Sequence, residues 1–408
     1  MVIECDVLVV GAGPAGSSAA RAAAEAGAHT IFIDKKKEIG VPVQCAEAIG
    51  EYLIPYLPFR IPEEQLIWKI DGISFWAEDI TIKRRGGMWS SYAINRDQFD
   101  KWLANNAIKS GARLQLDSEL VDLEFGEKYH VTKAIVKKRE GIREISPKVV
   151  IAADGADSTV LKLSRLKKEN VGRIGEIKSY EMHDLQLDNP YYDQLFIGEF
   201  APGAYGYIFP KSKTTANVGT GFLFPQKSID RCYEEFLEVP VVKKQLKNGK
   251  EVTEKSGRVP FCYLTDKWNY GNILLVGDAA NQNIKPLIEG FLPAIACGDL
   301  AGKRAAKYVT GKSTLDDYPK DIEHKLGFLF KDSDILLDIA YNLLQSNEEK
   351  ERLLSLGVNA NIFSYKKIDK LKKENCEALK RKLDGWNNSK IRQALTYLSE
   401  KSLFHCIC

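Results

Sequence analysis

The fold is decided by "CDVLVVGAGPAGSSAARAAAEAGAHTIFIDKKK", residues 5–37. Its run "VLVV" is continuously apolar, which is typical of a parallel strand buried on both faces. Gly11, Gly13 and Gly16 follow as G-x-G-x-x-G, ahead of an alanine-rich segment that favours a helix, and a second strand ends at Asp34. The passage therefore predicts a strand–turn–helix–strand unit.

This unit has the chemistry of a dinucleotide site. In such a turn the first glycine allows the sharp bend, the second lets a pyrophosphate approach the backbone, and the third lets helix and strand pack closely. The helix N-terminus offers free N–H groups and a positive dipole to the phosphates. Asp34 lies about 20 residues further on, where a carboxylate can accept hydrogen bonds from a ribose.

Composition limits the class of protein. A chain of 408 residues predicts two or three domains or one elaborate enzyme. With 44% hydrophobic and 28% charged residues it resembles a soluble globular protein, and a net charge of +3 does not call for nucleic acid. Eight cysteines without dense, regular spacing indicate a reducing compartment. No signal peptide and no apolar run of about 18 residues is found, so we predict a cytoplasmic protein.

Three later passages extend the nucleotide site. "VVIAADGADSTV" (149–160) is a buried strand that ends in Asp154 and Gly155, and "NILLVGDAANQNIKPLIEGFLPAIACGDLAG" (272–302) is a strand, a Gly277-Asp278 turn and a helix. In "YAINRDQFDKWLANNAIKSGA" (92–112), Arg96 precedes an amphipathic helix. Each passage alone would be an ordinary strand end or a solvated helix. Together they resemble the fingerprints of FAD-dependent oxidoreductases of the aromatic-hydroxylase type.

Two further stretches indicate one particular family among these FAD-dependent oxidoreductases. "VPVQCAEAIG" (41–50) and "PGAYGYIFP" (202–210) are similar to motifs of the geranylgeranyl reductase family, so that roughly residues 1–315 are covered. Tyr207 stands where the family usually has Trp. "KPLIEGFLPA" replaces a run of glycines, which leaves Gly290 as the expected point of flavin approach and leaves the substrate open. No second G-x-G-x-x-G is found, so no dedicated NAD(P)H domain is expected.

The resemblance implies an α/β fold, in which a Rossmann-like FAD-binding domain of the aromatic-hydroxylase and glutathione-reductase type carries an inserted antiparallel sheet and C-terminal helices. The expected boundaries are 1–60, 92–175 and 258–315 for the FAD domain, 61–91 and 176–257 for the substrate domain, and 316–408 for the helices. The implied FAD contacts are Gly11, Gly13, Ala15, Gly16, Asp34, Lys35, Cys45, Ala46, Arg96, Val121, Asp154, Gly155, Gly277, Asp278, Gly290 and Phe291.

The family's reaction requires an acid. An isolated trisubstituted alkene is not polarised, so hydride from the flavin must be matched by a proton on the other carbon. Cys45 is the first candidate for the proton donor, Glu47 and Tyr205 are alternatives, and Glu289 is a further one. The residues alone leave open that Cys45 is a packed thiol and that Glu289 is an exposed glutamate.

The segments 60–91 and 176–257 alternate apolar and polar residues, which indicates antiparallel strands. Their aromatic side chains predict either a cavity for a prenyl chain or an ordinary sheet core: Phe75, Trp76, Tyr205, Tyr207, Phe209 and Phe222. Helices are expected at 323–345, 366–384 and 390–404. The lysine-rich stretch 365–386 fits a solvated surface or peripheral contact with an anionic membrane face, and Cys406 and Cys408 are assigned no role.

The sequence thus predicts an FAD-dependent reductase that saturates geranylgeranyl chains, with archaeal-type ether phospholipids as the expected substrates. An external donor of electrons is expected: ferredoxin, a reduced deazaflavin or NADPH. The alternatives are an FAD-dependent monooxygenase on the same fold and a non-catalytic lipid-binding flavoprotein.

Overall fold

The computed structural model describes residues 2–77, 80–166, 172–264, 267–285 and 287–343. Its strands are β1 Val2–Val10, β2 Thr30–Ile33, β3 Ala48–Gly50, β4 Trp68–Ile70, β5 Gly72–Ala77, β6 Ile80–Arg85, β7 Ser91–Ala93, β8 Arg113–Gln115, β9 Ser118–Phe125, β10 Val131–Lys138, β11 Gly141–Ala152, β12 Gly172–His183, β13 Tyr192–Ile197, β14 Gly206–Pro210, β15 Ala216–Phe222, β16 Lys250–Glu254, β17 Gly257–Cys262, β18 Asn269–Tyr270 and β19 Ile273–Leu275. Its α-helices are α1 Pro14–Glu25, α2 Arg96–Lys109, α3 Thr159–Leu163, α4 Ile229–Leu237, α5 Pro240–Leu246, α6 Phe291–Val309 and α7 Tyr318–Leu343.

The first sheet carries the predicted nucleotide unit. Its strands run in the order β18-β19-β11-β1-β2-β8, with β10 and β9 added beside β11. The central pairs from β19 to β8 are parallel, and Val7 lies opposite Val149 on β11. Residues 7–10 are almost completely buried, as expected for a strand covered on both faces. The predicted α/β fold class is confirmed.

The glycines of the first turn are required by close contacts. Gly11 has φ +98°, and a Cβ there would lie 2.3 Å from the carbonyl oxygen of Ala153 at the end of the neighbouring strand. At Gly16 a Cβ would lie 1.8 Å from the carbonyl oxygen of Gly11. Helix α6 packs equally closely on α1, because a Cβ at Gly298 would lie 2.2 Å from the carbonyl oxygen of Ala15. These contacts place the start of α1 against the middle of α6.

The second sheet runs in the order β16-β12-β15-β14-β13-β5-β6, with β17 beside β12. It is antiparallel as predicted, except for the parallel pair β13–β5. Its two faces differ in their environment. Gln194 and Phe196 on β13 face α4 and α5, where Gln194 exchanges hydrogen bonds with Gln245, whereas Leu195 faces a cavity next to the first sheet.

A small third sheet, β3-β7-β4, and helix α7 complete the described structure. The start of α7 packs on the first sheet, since the Tyr318 hydroxyl donates a 3.1 Å hydrogen bond to the carbonyl of Leu275. The predicted helix at 323–345 corresponds to α7. The segments 366–384 and 390–404, and the terminal cysteines, lie outside the described residues. None of the helices described here is both long enough and apolar enough to cross a membrane.

Candidate active site

A cavity of about 780 Å³ lies between the first and second sheets. One end is formed by the glycine turn after β1, by Asp34 and by Asp278, and the other end by residues of β13, β14 and β15. The loop that carries Cys45 lines the same cavity. The predicted nucleotide site and the predicted substrate wall therefore belong to one continuous space.

The nucleotide end of the cavity fits a dinucleotide. The amide of Ala12 donates to Asp34 Oδ2 at 2.9 Å, and the amide of Lys36 donates to Asp34 Oδ1 at 2.9 Å. This carboxylate therefore joins the glycine turn to the loop after β2. A Cβ added at Gly13 would meet no protein atom within 4 Å, although Gly13 lines the cavity. The turn thus leaves room for a pyrophosphate directly at its backbone, and FAD fits these residues.

The Gly277-Asp278 turn is shaped by its backbone. Gly277 adopts φ +62° at the start of a short 3₁₀ helix, Gly277–Ala280, and its amide donates to Gln282 Oε1 at 2.7 Å. Gly290 forms the N-cap of α6, and both Gly290 and Phe291 line the cavity. The free amides at the start of α6 consequently border the cavity, where they can stabilise negative charge.

Two other predicted cofactor residues, Asp154 and Gly155, line the cavity beside the glycine turn. Asp154 accepts hydrogen bonds from the Ser158 hydroxyl at 2.6 Å and from the Val160 amide at 3.0 Å, and burial raises the pKa of its carboxyl group. It therefore holds the start of α3 against the end of β11.

Arg96 connects several parts of the site. Its guanidinium group binds both carboxylate oxygens of Asp100 at 3.0 Å and lies 4.2 Å from the centre of the Phe291 ring. Burial acts to lower the pKa of Arg96, but the carboxylate of Asp100 and the adjacent thiol of Cys45 raise it above its ordinary value. Arg96 lines the cavity and fixes the Cys45 loop next to the start of α6.

Cys45 is partly exposed to the cavity, and its sulfur accepts a 3.2 Å hydrogen bond from the amide of Glu47. Glu47 points away from the cavity: it is 1% exposed, and Arg96 donates its amide to Oε1 at 2.8 Å. Its other oxygen binds the ammonium groups of Lys211, at 2.5 Å, and of Lys255. Burial acts to raise the pKa of Glu47, but these two lysines lower it below its ordinary value. Glu47 is thus an ionised anchor of the loop.

Both lysines also bind Glu181, each at 2.7 Å. We call Glu47, Glu181, Lys211 and Lys255 the buried ion cluster. It joins the loop from the first sheet to β12 of the second sheet, and its two positive and two negative charges balance. Sequence reasoning missed the lysines, because nothing in their local pattern distinguishes them from solvated ones.

Tyr205 and Glu289 both line the cavity and both hold the loop before α6. The Tyr205 hydroxyl donates to the carbonyl of Leu287 at 2.8 Å. Glu289 accepts from the Tyr52 hydroxyl at 3.0 Å and from the amide of Gly50 at 3.0 Å. Burial raises the pKa of both side chains above their ordinary values.

The structure brings part of the predicted aromatic wall together. Tyr205, Tyr207, Phe209 and Phe222 line the cavity, whereas Phe75 lies behind them, edge-on to Trp89 at 5.7 Å. Trp76 lies on the opposite face of the sheet and stacks on Phe196 at 6.0 Å, because successive strand residues point to opposite faces. Of the predicted cofactor residues, Ala15, Lys35 and Ala46 also line the cavity, while Gly16 packs behind the turn and Val121 is exposed on β9.

Asp193 is a cavity residue that sequence reasoning missed. It lies on β13, on the same face as Leu195, and the hydroxyl of Ser91 donates to its Oδ2 at 2.6 Å. Burial raises the pKa of its carboxyl group from 3.8 to about 7. Its signal in the sequence "YDQLFI" is a charged residue among alternate positions, 193, 195 and 197, that are otherwise apolar.

Comparisons with known proteins agree with this geometry. The family model "Glucose inhibited division protein A" matches residues 6–195, and "Geranylgeranyl reductase catalytic domain" matches residues 176–259. The chain is 37% identical over 331 residues to a digeranylgeranylglycerophospholipid reductase of Methanococcus aeolicus, covering 79% of this chain and 82% of that protein. It is 36% identical over 329 residues to one of Methanocaldococcus jannaschii, covering 78% and 82%.

Solved structures show the same fold. A geranylgeranyl bacteriochlorophyll reductase-like protein from Thermoplasma acidophilum superposes with a TM-score of 0.79 at 24% identity, over 98% of this chain and 100% of that one. The myxobacterial chondrochloren halogenase, an FAD-dependent enzyme, superposes with a TM-score of 0.69 at 15% identity, over 97% of both chains.

Proposed function

The chain belongs to the digeranylgeranylglycerophospholipid reductase family, and from this premise we propose that it saturates the carbon–carbon double bonds of geranylgeranyl chains on archaeal-type ether phospholipids, with FAD as its cofactor. The observation that carries the proposal is the continuity of the cavity. The glycine turn, the Cys45 loop and the aromatic wall of the second sheet border one space. A dinucleotide and a prenyl chain can therefore meet in it.

The residues that would hold FAD lie at one end of this space. Gly11, Gly13 and Asp34 suit the adenosine and pyrophosphate part, and Asp278 with the start of α6 suits the part that reacts. When bound and reduced, FAD supplies a hydride.

The chain's own residues supply the apolar environment and the acid. Tyr207, Phe209, Phe222 and Leu195 offer an apolar wall to the prenyl chain and keep water away from it. Cys45 is our first candidate for the proton donor, because its thiol borders the cavity and is held by the Glu47 amide and by Arg96. Tyr205 and Glu289 are assigned positioning roles, because their hydrogen bonds hold the loop before α6.

We propose that the electrons come from an external donor, either ferredoxin, a reduced deazaflavin or NADPH. The proposal of peripheral contact with the inner membrane face concerns residues 365–386, which lie outside the described residues. Vesicle sedimentation with anionic and neutral lipids tests this contact, since binding that does not depend on anionic lipid would contradict it.

The function is tested anaerobically. The reduced, FAD-loaded protein is mixed with a geranylgeranyl ether phospholipid, and we expect the flavin to re-oxidise while the lipid gains mass in steps of two hydrogens. With Cys45 as the acid, Cys45→Ser should lower the rate by about 100-fold and leave FAD binding unchanged. Re-oxidation by oxygen alone, with the lipid unaltered, would refute the proposal. Consumption of NAD(P)H and oxygen that does not depend on Cys45 would instead indicate a monooxygenase.

A further inference from the structure

Asp193 occupies an unusual place for a charged residue. It lies on an interior strand of the second sheet, between β5 and β14, and its register partner on β5 is Ile73. The two-residue period of the strand puts Asp193 on the face of Leu195, which lines the cavity. The carboxyl group therefore lies in the wall of the space proposed for the prenyl chain, next to the apolar Leu195.

Only one of its two oxygens is hydrogen-bonded. Oδ2 accepts the 2.6 Å hydrogen bond from Ser91, whereas Oδ1 is buried and has no hydrogen-bond partner. Asp193 as a whole is 6% exposed. Ionising a buried carboxyl group that has one unpaired oxygen costs free energy. The protonated acid avoids this cost and retains a proton that it can donate. The proton then resides on Oδ1, the oxygen that no protein group occupies.

The groups around Asp193 do not neutralise it. The carboxyl group of Glu289, in the loop before α6, opposes the ionisation of Asp193. From β7, Asp193 accepts a hydrogen bond from the neutral hydroxyl of Ser91. Two cations that line the same cavity have carboxylates of their own: Arg96 binds Asp100, and Lys255 belongs to the buried ion cluster. No ion pair involving Asp193 is found among the described residues.

Two other carboxyl groups, those of Glu289 and Glu47, are engaged. Both oxygens of Glu289 accept hydrogen bonds, and Glu47, which does not line the cavity, is held ionised by Lys211 and Lys255. Asp193 is distinguished from both by its unoccupied oxygen.

We propose that Asp193, as a carboxylic acid, is the proton donor of this cavity in place of Cys45 and delivers its proton to the substrate alkene. This rests on the proposed function. The π bond breaks as one carbon receives hydride with its electron pair from the reduced cofactor and the other receives the proton of Asp193. The products are the saturated bond, the oxidised cofactor and the Asp193 carboxylate, which regains a proton from solvent before the next turnover.

The titration of Asp193 agrees with this role. Because burial raises its pKa to about 7, a large share of the protein carries the acid form at neutral pH. An aspartate at its ordinary value of 3.8 would be almost fully ionised there and could donate nothing.

The test compares the FAD-loaded wild type with Asp193→Asn, which keeps the shape but has no acidic proton. Asp193→Glu restores an acid on a longer stem, and Asp230→Asn, on an exposed residue of α4, controls for the loss of charge. Anaerobic single-turnover re-oxidation by a geranylgeranyl lipid is followed against pH. We expect the wild-type rate to fall above about pH 7. Asp193→Asn should be slower by about 100-fold and lack this fall, whereas Asp193→Glu should recover part of the rate.

A second readout does not depend on turnover. Infrared difference spectra of the FAD-loaded protein should show a protonated carboxylic acid that disappears as the pH rises through about 7 and is absent in Asp193→Asn. Unchanged rates and pH profiles in Asp193→Asn, or the missing infrared signal in the wild type, would overturn the role of Asp193 while the wild type still reduces lipid. Failure of the wild type to reduce any lipid would overturn the proposed function together with this inference.

Discussion

Replacing Asp193 by Asn should make the protein more stable at neutral and alkaline pH. In the folded protein burial raises the pKa of Asp193 from 3.8 to about 7. The unfolded chain therefore releases this proton at a lower pH than the folded chain does. At about 1.4 kcal/mol per tenfold change in proton affinity, ionised Asp193 costs about 4 kcal/mol of stability once both states have lost the proton.

The direction follows from the linkage of protonation to folding. The folded state binds more protons between the two pKa values, so the contribution of Asp193 to stability falls as the pH rises through this window. From about pH 5 to about pH 8 the wild type should lose about 3 kcal/mol relative to Asp193→Asn. Above about pH 8 the difference between the two proteins should stay constant.

The assay is urea unfolding of both proteins with saturating FAD, followed by circular dichroism at several pH values. Because both proteins contain the same other titrating groups, the difference between their unfolding free energies isolates Asp193. Asp230→Asn is the matched control and should follow the wild type. Parallel pH curves for the wild type and Asp193→Asn would refute the reasoning, since they would mean that Asp193 is ionised in the folded protein as easily as in the unfolded one.

Three substitutions test other parts of the site. Gly13→Ala should fold normally, because its Cβ meets no protein atom within 4 Å, yet weaken FAD binding by about tenfold or more in a fluorescence titration; unchanged affinity would contradict the pyrophosphate site. Gly16→Ala should instead lower the melting temperature, since a Cβ 1.8 Å from the Gly11 oxygen forces the backbone apart at a cost of about 1–3 kcal/mol. Glu47→Gln should destabilise the protein by roughly 3 kcal/mol, because Lys211 and Lys255 lose a buried partner, and a melting temperature equal to that of the wild type would show that the cluster is not needed.

The nucleotide half of the site could be predicted because its signals are local. The strand, the glycine turn, the helix and Asp34 lie within about thirty residues, where spacing alone determines which groups meet. The helix after the Gly277-Asp278 turn was also expected and corresponds to α6, since a glycine-containing loop precedes an apolar helical pattern.

The substrate half depends on contacts between distant residues. Ser91 and Asp193 are 102 positions apart and meet only because β7 lies against the start of β13. Phe75 and Trp76 are neighbours in the sequence, but the register of β5 with β13 decides which of them packs behind the cavity wall and which lies on the opposite face of the sheet. An aromatic-rich strand does not reveal this choice, because both of its faces are covered.

The buried ion cluster also limits which substitutions can accumulate during evolution of this chain. Loss of any one of its four members leaves an odd charge sealed between two sheets, so intermediates that change a single position are penalised. Descendants should therefore exchange a glutamate and a lysine jointly, or replace all four by apolar groups. Substitution at Glu47 should be correlated with substitution at Lys211 or Lys255, although more than 160 residues separate it from either of them.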